Sequence, residues 1–226
     1  MDPKLEKKNK ILNYSIVASC IILLFLVSLV FSNVGVYSIM GNSVYTANGK
    51  YETGEIVEYA NTNWYVISEN NKSYTLLRQN SLSEEEIKSL NLNIYVGTNG
   101  EVAYDSGTDC YADNTIGCST SLENSTIGMV LTAYQNNKLK IDDLITIDDY
   151  TIRLINMDDI NNLKSYNWLK LNQYYWTMSS PNYSNLNIFG LNNDGQTYIH
   201  MVYDGSNEEL GGLVRPVINV KKVRVK

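Results

Sequence analysis

Histidine occurs once in this chain of 226 residues, as His200, and cysteine three times, as Cys20, Cys110 and Cys118. Catalysis by a lone histidine needs a nucleophile and an orienting acid, and the sequence supplies neither in a recognisable spacing. In TYIHMVY, His200 lies opposite Ile199, Met201 and Tyr203 and shares its face with Tyr198 and Val202, which suits an exposed or groove-facing imidazole. A basic excess is also missing. The formal charge is −6 in total, and the first ten residues carry four lysines against Asp2 and Glu6, a net of +2, which leaves −8 for the remainder. That acidity excludes nucleic acid and anionic lipid as partners of the main body. Proline is scarce at three, and phenylalanine at three stands against 18 tyrosines. Asparagine is abundant in every region, a bias that follows no structural boundary and reads as the imprint of a low-GC genome.

Calcium sites of the EF-hand type are absent too. Three Asp-Asp pairs occur, at 142–143, 148–149 and 158–159, but a structural reading is the stronger one. Asp148-Asp149 suits a hairpin turn and Asp158-Asp159 the first turn of a helix, where carboxylates face the positive dipole end. No single segment assembles the about 6–8 oxygens that calcium takes. The expectation is therefore no metal and no cofactor.

One long apolar run is present. From Ile11 to Phe31 no charged residue occurs, which meets the ~20 residues needed to cross a bilayer core. Lys4, Lys7, Lys8 and Lys10 precede it, so the positive-inside rule leaves the N-terminus in the cytoplasm. The expected organisation is a cytoplasmic tail at 1–10, a transmembrane helix at 11–32, a linker at 33–50 and an extracellular domain at 51–226. A cleaved signal peptide is the rival, but its apolar region is shorter and NVGVYSIMGNS makes a poor cleavage site. VASC, ending at Cys20, resembles a lipobox, yet the apolar run continues beyond it. Outside the membrane, Cys110 and Cys118 read as a disulfide closing a small loop, worth about 2–3 kcal/mol. The alternative, a metal or catalytic thiol, has no histidine or further cysteine nearby.

In the main body, GEIVEYA, NWYVISE and SYTLLRQN read as strands, with Trp64, Val66 and Ser68 alternating against Tyr65 and Ile67. SLSEEEIKSLNL reads as a helix, with Ser83 and Glu86 in capping-box spacing. A second helix carries Ile127, Val130, Leu131 and Tyr134 on one stripe. DLITIDDYTIRLI reads as a hairpin around Asp148-Asp149, and NMDDINNLKSYNWL as a short helix. YYWTMSS, LNIFGLNNDG, QTYIHMVYD and LVRPVINVKKVRVK are strand-like, with a tight turn at NNDG. Strands thus flank a helix-bearing middle, which defines an α+β fold.

The order of landmarks carries a resemblance. WYVI at Trp64, YTIRLINMDDI, YYWTMSS, an Asp-Gly turn and RPVINV together resemble the bacterial C-type-lectin-like fold shared with the formylglycine-generating enzyme (sulfatase-modifying factor) family, over residues 51–226. The resemblance implies β-hairpins flanking two or three short helices, with Trp64, Arg153, Trp176, Arg215 and Pro216 as framework. Two departures stand out: Arg153-Leu154-Ile155 lacks the family's proline, and the GGLVR stretch has one extra residue before its arginine. The family's oxidase branch requires a cysteine pair near the C-terminus, and no cysteine follows Cys118, so oxidase activity is not expected. Arg215 reads as a buried clamp that holds backbone carbonyls or a carboxylate with its fork of donors.

The Tyr- and Asn-rich stretch from Asn182 to Glu209 has the residue types of adaptable binding loops. Tyr183, Asn185, Asn192, Asn193, Tyr198, His200 and Tyr203 are the candidate ligand-binding residues. The expected function is a single-pass surface protein that displays a non-catalytic binding module for an unidentified surface glycan or protein. A non-binding structural role in the cell envelope is the alternative.

Overall fold

The computed structural model describes residues 51–105, 119–181, 187–202 and 211–225. The expected transmembrane helix and linker, the Cys110–Cys118 pair, and the candidates Tyr183, Asn185 and Tyr203 lie outside them. No helix among the described residues is long and apolar enough to cross a membrane.

Residues Tyr51–Lys226 form one compact α+β unit. Two five-stranded sheets organise it. In sheet A the order is β1 (Ile56–Tyr59), β2 (Thr62–Glu69), β3 (Ser73–Arg78), β10 (Val217–Lys221) and β5 (Ile152–Arg153). In sheet B it is β4 (Glu101–Val102), β9 (Gly212–Leu213), β6 (Tyr175–Trp176), β7 (Asn187–Leu191) and β8 (Thr197–Met201). Described pairings are antiparallel except β6 with β9.

Sheet A is covered on both faces. Trp64, Val66, Tyr74, Leu76, Ile218 and Val220 face one apolar cluster, whereas Ile67, Leu77 and Val217 face another with Tyr175 and Leu213. All six residues of β3 are buried for this reason, as in central strands with two covered faces. The alternation expected along β2 breaks in the middle. Pairing steps from Val66↔Leu76 to Ser68↔Thr75, so Ile67 is the extra residue of a β-bulge. Val66 and Ile67 are both buried as a result, and Ser68 is exposed.

Three α-helices among the described residues pack around the sheets. In α1 (Glu84–Lys88) the Ser83 hydroxyl accepts from Glu86 N at 3.2 Å and the Glu86 carboxylate from Ser83 N at 2.9 Å, a complete capping box. Ser125 caps α2 (Thr126–Lys138) by accepting from Gly128 N at 3.1 Å, and the stripe of Ile127, Val130, Leu131 and Tyr134 is buried. A glycine is required at 128, because a Cβ there would lie 1.8 Å from the Leu122 carbonyl oxygen. In α3 (Met157–Leu163), Asn156 and Asp159 form a second capping box.

Asp148 and Asp149 do make a tight turn, with φ of 48° and 69° and mutual Ile147–Tyr150 bonds of 3.0 Å. The arms then depart from a simple hairpin. Both run along β10 rather than along each other: Leu144 bridges Val220, Ile145 N donates to Asn219 O at 2.8 Å, and β5 pairs with Val217 and Ile218. The exposed backbone edge of β10 offers more ladder partners than the two short arms offer one another.

The segment from Gly212 to Lys221 passes from sheet B, as β9, to sheet A, as β10. At the crossing, Arg78 N donates to Pro216 O at 2.9 Å and Leu82 N to Val214 O at 2.8 Å. Pro216 sits immediately before the strand, where its missing N–H interrupts no ladder.

Candidate functional site

Arg215 fills the crossing between the sheets and is fully buried. Its Nε donates to Arg78 O at 2.8 Å, Nη1 to Leu169 O at 2.8 Å and Tyr175 Oη at 3.4 Å, and Nη2 to Gln79 O at 2.9 Å and Trp168 O at 3.0 Å. Those bonds use all five donors of a guanidinium. The cation also lies 5.3 Å from the Tyr175 ring centroid and 6.0 Å from that of Tyr65. Burial lowers the Arg215 pKa, partly opposed by Tyr175 and Tyr65. Burial also pushes the Tyr175 hydroxyl up to about 12 against the opposing pull of Arg215. With every donor turned onto backbone or Tyr175, Arg215 presents nothing to a ligand.

Trp64 and Trp176 are equally enclosed. Trp64 Nε1 donates to Tyr59 O at 3.0 Å and Trp176 Nε1 to Val102 O at 2.7 Å. Arg153 forks onto Asp159, with contacts of 2.5 and 3.3 Å, and also donates to Leu154 O at 2.8 Å. It thereby ties β5 to the N-terminus of α3.

The ligand-facing chemistry gathers elsewhere, at one end of sheet B. A cleft of about 250 Å³ is lined by Glu101 from β4, Asn172, Gln173 and Tyr174 from the approach to β6, Asn192 and Asn193 from the β7–β8 loop, and Gly211. Each wall has a local cause. A turn closed by Gly100 N to Gly97 O at 2.9 Å, with Gly100 at φ +88°, folds back so that Gly97 N meets Glu101 O at 2.9 Å. Asn99 then holds the Glu101 carboxylate through its backbone N at 2.9 Å and its Nδ2 at 2.7 Å. Gln173 Nε2 adds a third bond at 3.0 Å from the opposite wall. Burial pushes the Glu101 pKa up, but those donors outweigh it, and the net direction is down. Glu101 is thus an ionised, fixed acceptor at neutral pH.

The other wall is a three-residue hairpin loop. Asn192 N donates to Gln196 O at 2.9 Å, Gly195 N to Asn192 O at 3.0 Å, and Gly195 takes φ +80°. Asn192 Oδ1 accepts from Asp194 N at 3.0 Å and Gln196 N at 2.8 Å, so this amide shapes the loop while lining the cleft. Asn193 and Asn172 are exposed, and their side chains make no hydrogen bond among the described residues.

His200 stands behind this wall. Its ring stacks on Tyr174 at 4.4 Å and 6°, and meets Trp176 edge-on at 5.8 Å and 89°. Burial lowers its pKa. No carboxylate among the described residues bonds to it. Tyr198 is 48% exposed on β8 and does not line the cleft; its hydroxyl donates to Gln196 Oε1 at 3.4 Å.

Of the sequence candidates described here, Asn192 and Asn193 therefore share the cleft, His200 supports it through Tyr174, and Tyr198 stands apart. Glu101, Asn172, Gln173 and Tyr174 were not candidates. The one signal for the last three is an amide pair placed directly before the aromatic run of β6. Glu101 has none, since the residues it shares the cleft with all come from distant segments. No group of three His, Cys, Asp or Glu side chains among the described residues is placed to hold a metal ion. Comparison of the chain with protein-family models, with characterised proteins and with solved structures finds no match.

Proposed function

We propose that this chain is a single-pass cell-surface protein whose domain, residues 51–226, is a C-type-lectin-like binding module without catalytic activity. The observation that carries the reading is the cleft itself. Exposed amides, a fixed carboxylate and an aromatic ring converge there, with no nucleophile–base pair beside them among the described residues. Such a lining recognises and does not transform. Supporting the fold assignment are the two-sheet α+β architecture, the short helices, and a closing segment that crosses between sheets around Arg215. Supporting the membrane anchor is the uncharged run from Ile11 to Phe31 behind four lysines.

Epitope tags at the two ends test the topology. The C-terminal tag is expected to be labelled on intact cells and the N-terminal tag only after permeabilisation; the reverse pattern, or recovery in the soluble fraction, overturns it. Binding is tested by retention of the purified full-length chain, in detergent micelles, on isolated cell-envelope polysaccharide and on intact cells. Absence of retention on both overturns the module.

A further inference from the structure

We propose that β8, the outer strand of sheet B, is a self-association edge. Two copies of this chain pair antiparallel along Thr197–Met201, with Ile199 opposite Ile199 of the second copy.

Each sheet ends in two strands, and three of these four edges carry the usual protection against further pairing. β1 has Glu58 among its four residues, β5 is two residues long and ends in Arg153, and β4 is two residues long and begins with Glu101. β8 has none of these guards. Its five residues, TYIHM, contain no charge and no proline. Tyr198 and Ile199 are 48% and 46% exposed on it. An open edge of β-branched and aromatic residues is a template for another strand.

The ladder with β7 fixes which backbone groups point outward. Asn192 N donates to Gln196 O at 2.9 Å beside the loop, and bonded and non-bonded pairs alternate from there along an antiparallel ladder. Tyr198 with Gly190 and His200 with Ile188 are then bonded pairs, whereas Thr197, Ile199 and Met201 turn their N–H and C=O groups away from β7. Phe189, opposite Ile199, agrees: its N donates to Ser179 O at 2.9 Å and its O accepts from Thr177 N at 3.0 Å, both away from β8. Among the described residues no strand takes the outward groups of β8. Donors and acceptors at that spacing are matched by another extended backbone, so the occupant is a β-strand.

Symmetry and charge choose which strand. Laid antiparallel on itself about Ile199, β8 puts Thr197 opposite Met201 and Tyr198 opposite His200 of the second copy. The outward residues 197, 199 and 201 then meet the same three residues with none left over, so a twofold axis through Ile199 satisfies every outward group at once. An Ile199 pair on one face and Tyr198–His200 pairs on the other are cross-strand contacts of the stabilising kind. Phe189, half-buried beside Ile199, extends the apolar face onto β7. The body of the chain has a net charge of −8 beyond the lysine-rich tail, which sets copies against each other wherever carboxylates meet. The uncharged β8 edge brings no like charges together. Joined there, the two copies of sheet B run as one sheet.

The test is sedimentation velocity of the full-length chain in detergent micelles at rising protein concentration, with mild oxidation of cysteine variants beside it. The parent is expected to pass from monomer to dimer. Ile199→Lys sets two cations face to face at the axis and is expected to weaken the dimer by about tenfold or more. Its Tm is expected to stay nearly unchanged, because Ile199 is exposed and its N–H is not used by β7. Ile56→Lys, the same change at an exposed isoleucine of β1, is expected to leave the dimer as it was. Ile199→Cys is expected to give a covalent dimer beyond any that the native cysteines form in the parent, since residues facing across such a bonded pair lie about 5.5 Å apart. Thr197→Cys is expected to give none, because its counterpart in the second copy lies four residues from the position it faces, about 13 Å along the strand. Three results overturn the pairing: a parent that stays monomeric into the millimolar range, an Ile199→Lys chain that dimerises like the parent, or a Thr197→Cys chain that cross-links as readily as Ile199→Cys. All three readouts are independent of membrane topology and of retention on cells or polysaccharide, so this edge and the binding module stand or fall separately.

Discussion

At Arg215 a buried cation meets four carbonyls and a hydroxyl, and among the described residues no carboxylate pairs with it. Its stabilising effect lies in what its removal would expose: the guanidinium's bonds to four main-chain oxygens of two separate segments would be lost, and of these only Leu169 O keeps another side-chain donor, the Tyr175 hydroxyl at 2.7 Å. Arg215→Met is expected to lower the unfolding free energy by about 3–5 kcal/mol, since each orphaned buried group costs on the order of 1–3 kcal/mol and relaxation recovers part. Arg215→Lys is expected to rescue little of that loss, because a point charge with three donors cannot span both segments. Urea denaturation of both variants checks this; a lysine variant as stable as the parent would contradict the geometry. The neighbouring Tyr175 adds an alkaline signature. Its folded pKa of about 12 stands above the usual 10.0, so the stabilisation is fully present below pH 10 and is lost as pH climbs from 10 to 12, by roughly 3 kcal/mol. Tyr175→Phe is expected to flatten that part of the stability–pH curve. His200 has the opposite sign: burial depresses its pKa, so stability falls as pH drops below the ordinary histidine range. His200→Phe is expected to remove that slope in acid-unfolding measurements.

At the scale of elements, what the sequence made legible was whatever is decided within a few residues. The Ser83–Glu86 box, the Asp148-Asp149 and Asn192–Gly195 turns, and the buried stripe of α2 all follow from local spacing. Three features were not legible, each for a distant cause. The bulge at Ile67 exists because β2 must feed an apolar residue to both covered faces of sheet A. The arms around Asp148-Asp149 separate because β10, seventy residues later, offers a better edge. Glu101 joins the cleft because β9 pins a two-residue strand opposite Gln173. The contact between Gly128 and the Leu122 carbonyl is local, set by the turn that leads into α2, and it yields a sharp test. Gly128→Ala is expected to destabilise the fold by about 2–3 kcal/mol although alanine is the better helix former, because the backbone turn before α2 must move. A neutral or stabilising effect in thermal unfolding would refute that packing.

For the whole molecule, the two sheets share one seam, the crossing from β9 to β10. Removing residues 212–226 takes away the partner of β3, the partner of β5 and the link between β4 and β6 at once. Such a chain is expected to lose cooperative unfolding altogether and to expose apolar surface to dye. Removing residues 1–50 is expected to leave the cooperative transition of Tyr51–Lys226 in place, because that unit holds its own apolar clusters. Circular dichroism melts of both truncations distinguish the two outcomes. The cleft belongs to this scale too, since its walls come from four stretches that meet only when sheet B is assembled.

The pairing of β3 with β10 joins Leu77 to Val217 and Ser73 to Lys221, across roughly 140 intervening positions. Because the ribosome delivers β3 first, its six side chains, buried on both faces of the finished sheet, must wait for a partner made much later. Through that interval the β2–β3 hairpin is a sticky edge with no neighbour. Assembly of this domain is therefore a late, single event, and its hazard is self-association in the nascent chain rather than wear in the finished one.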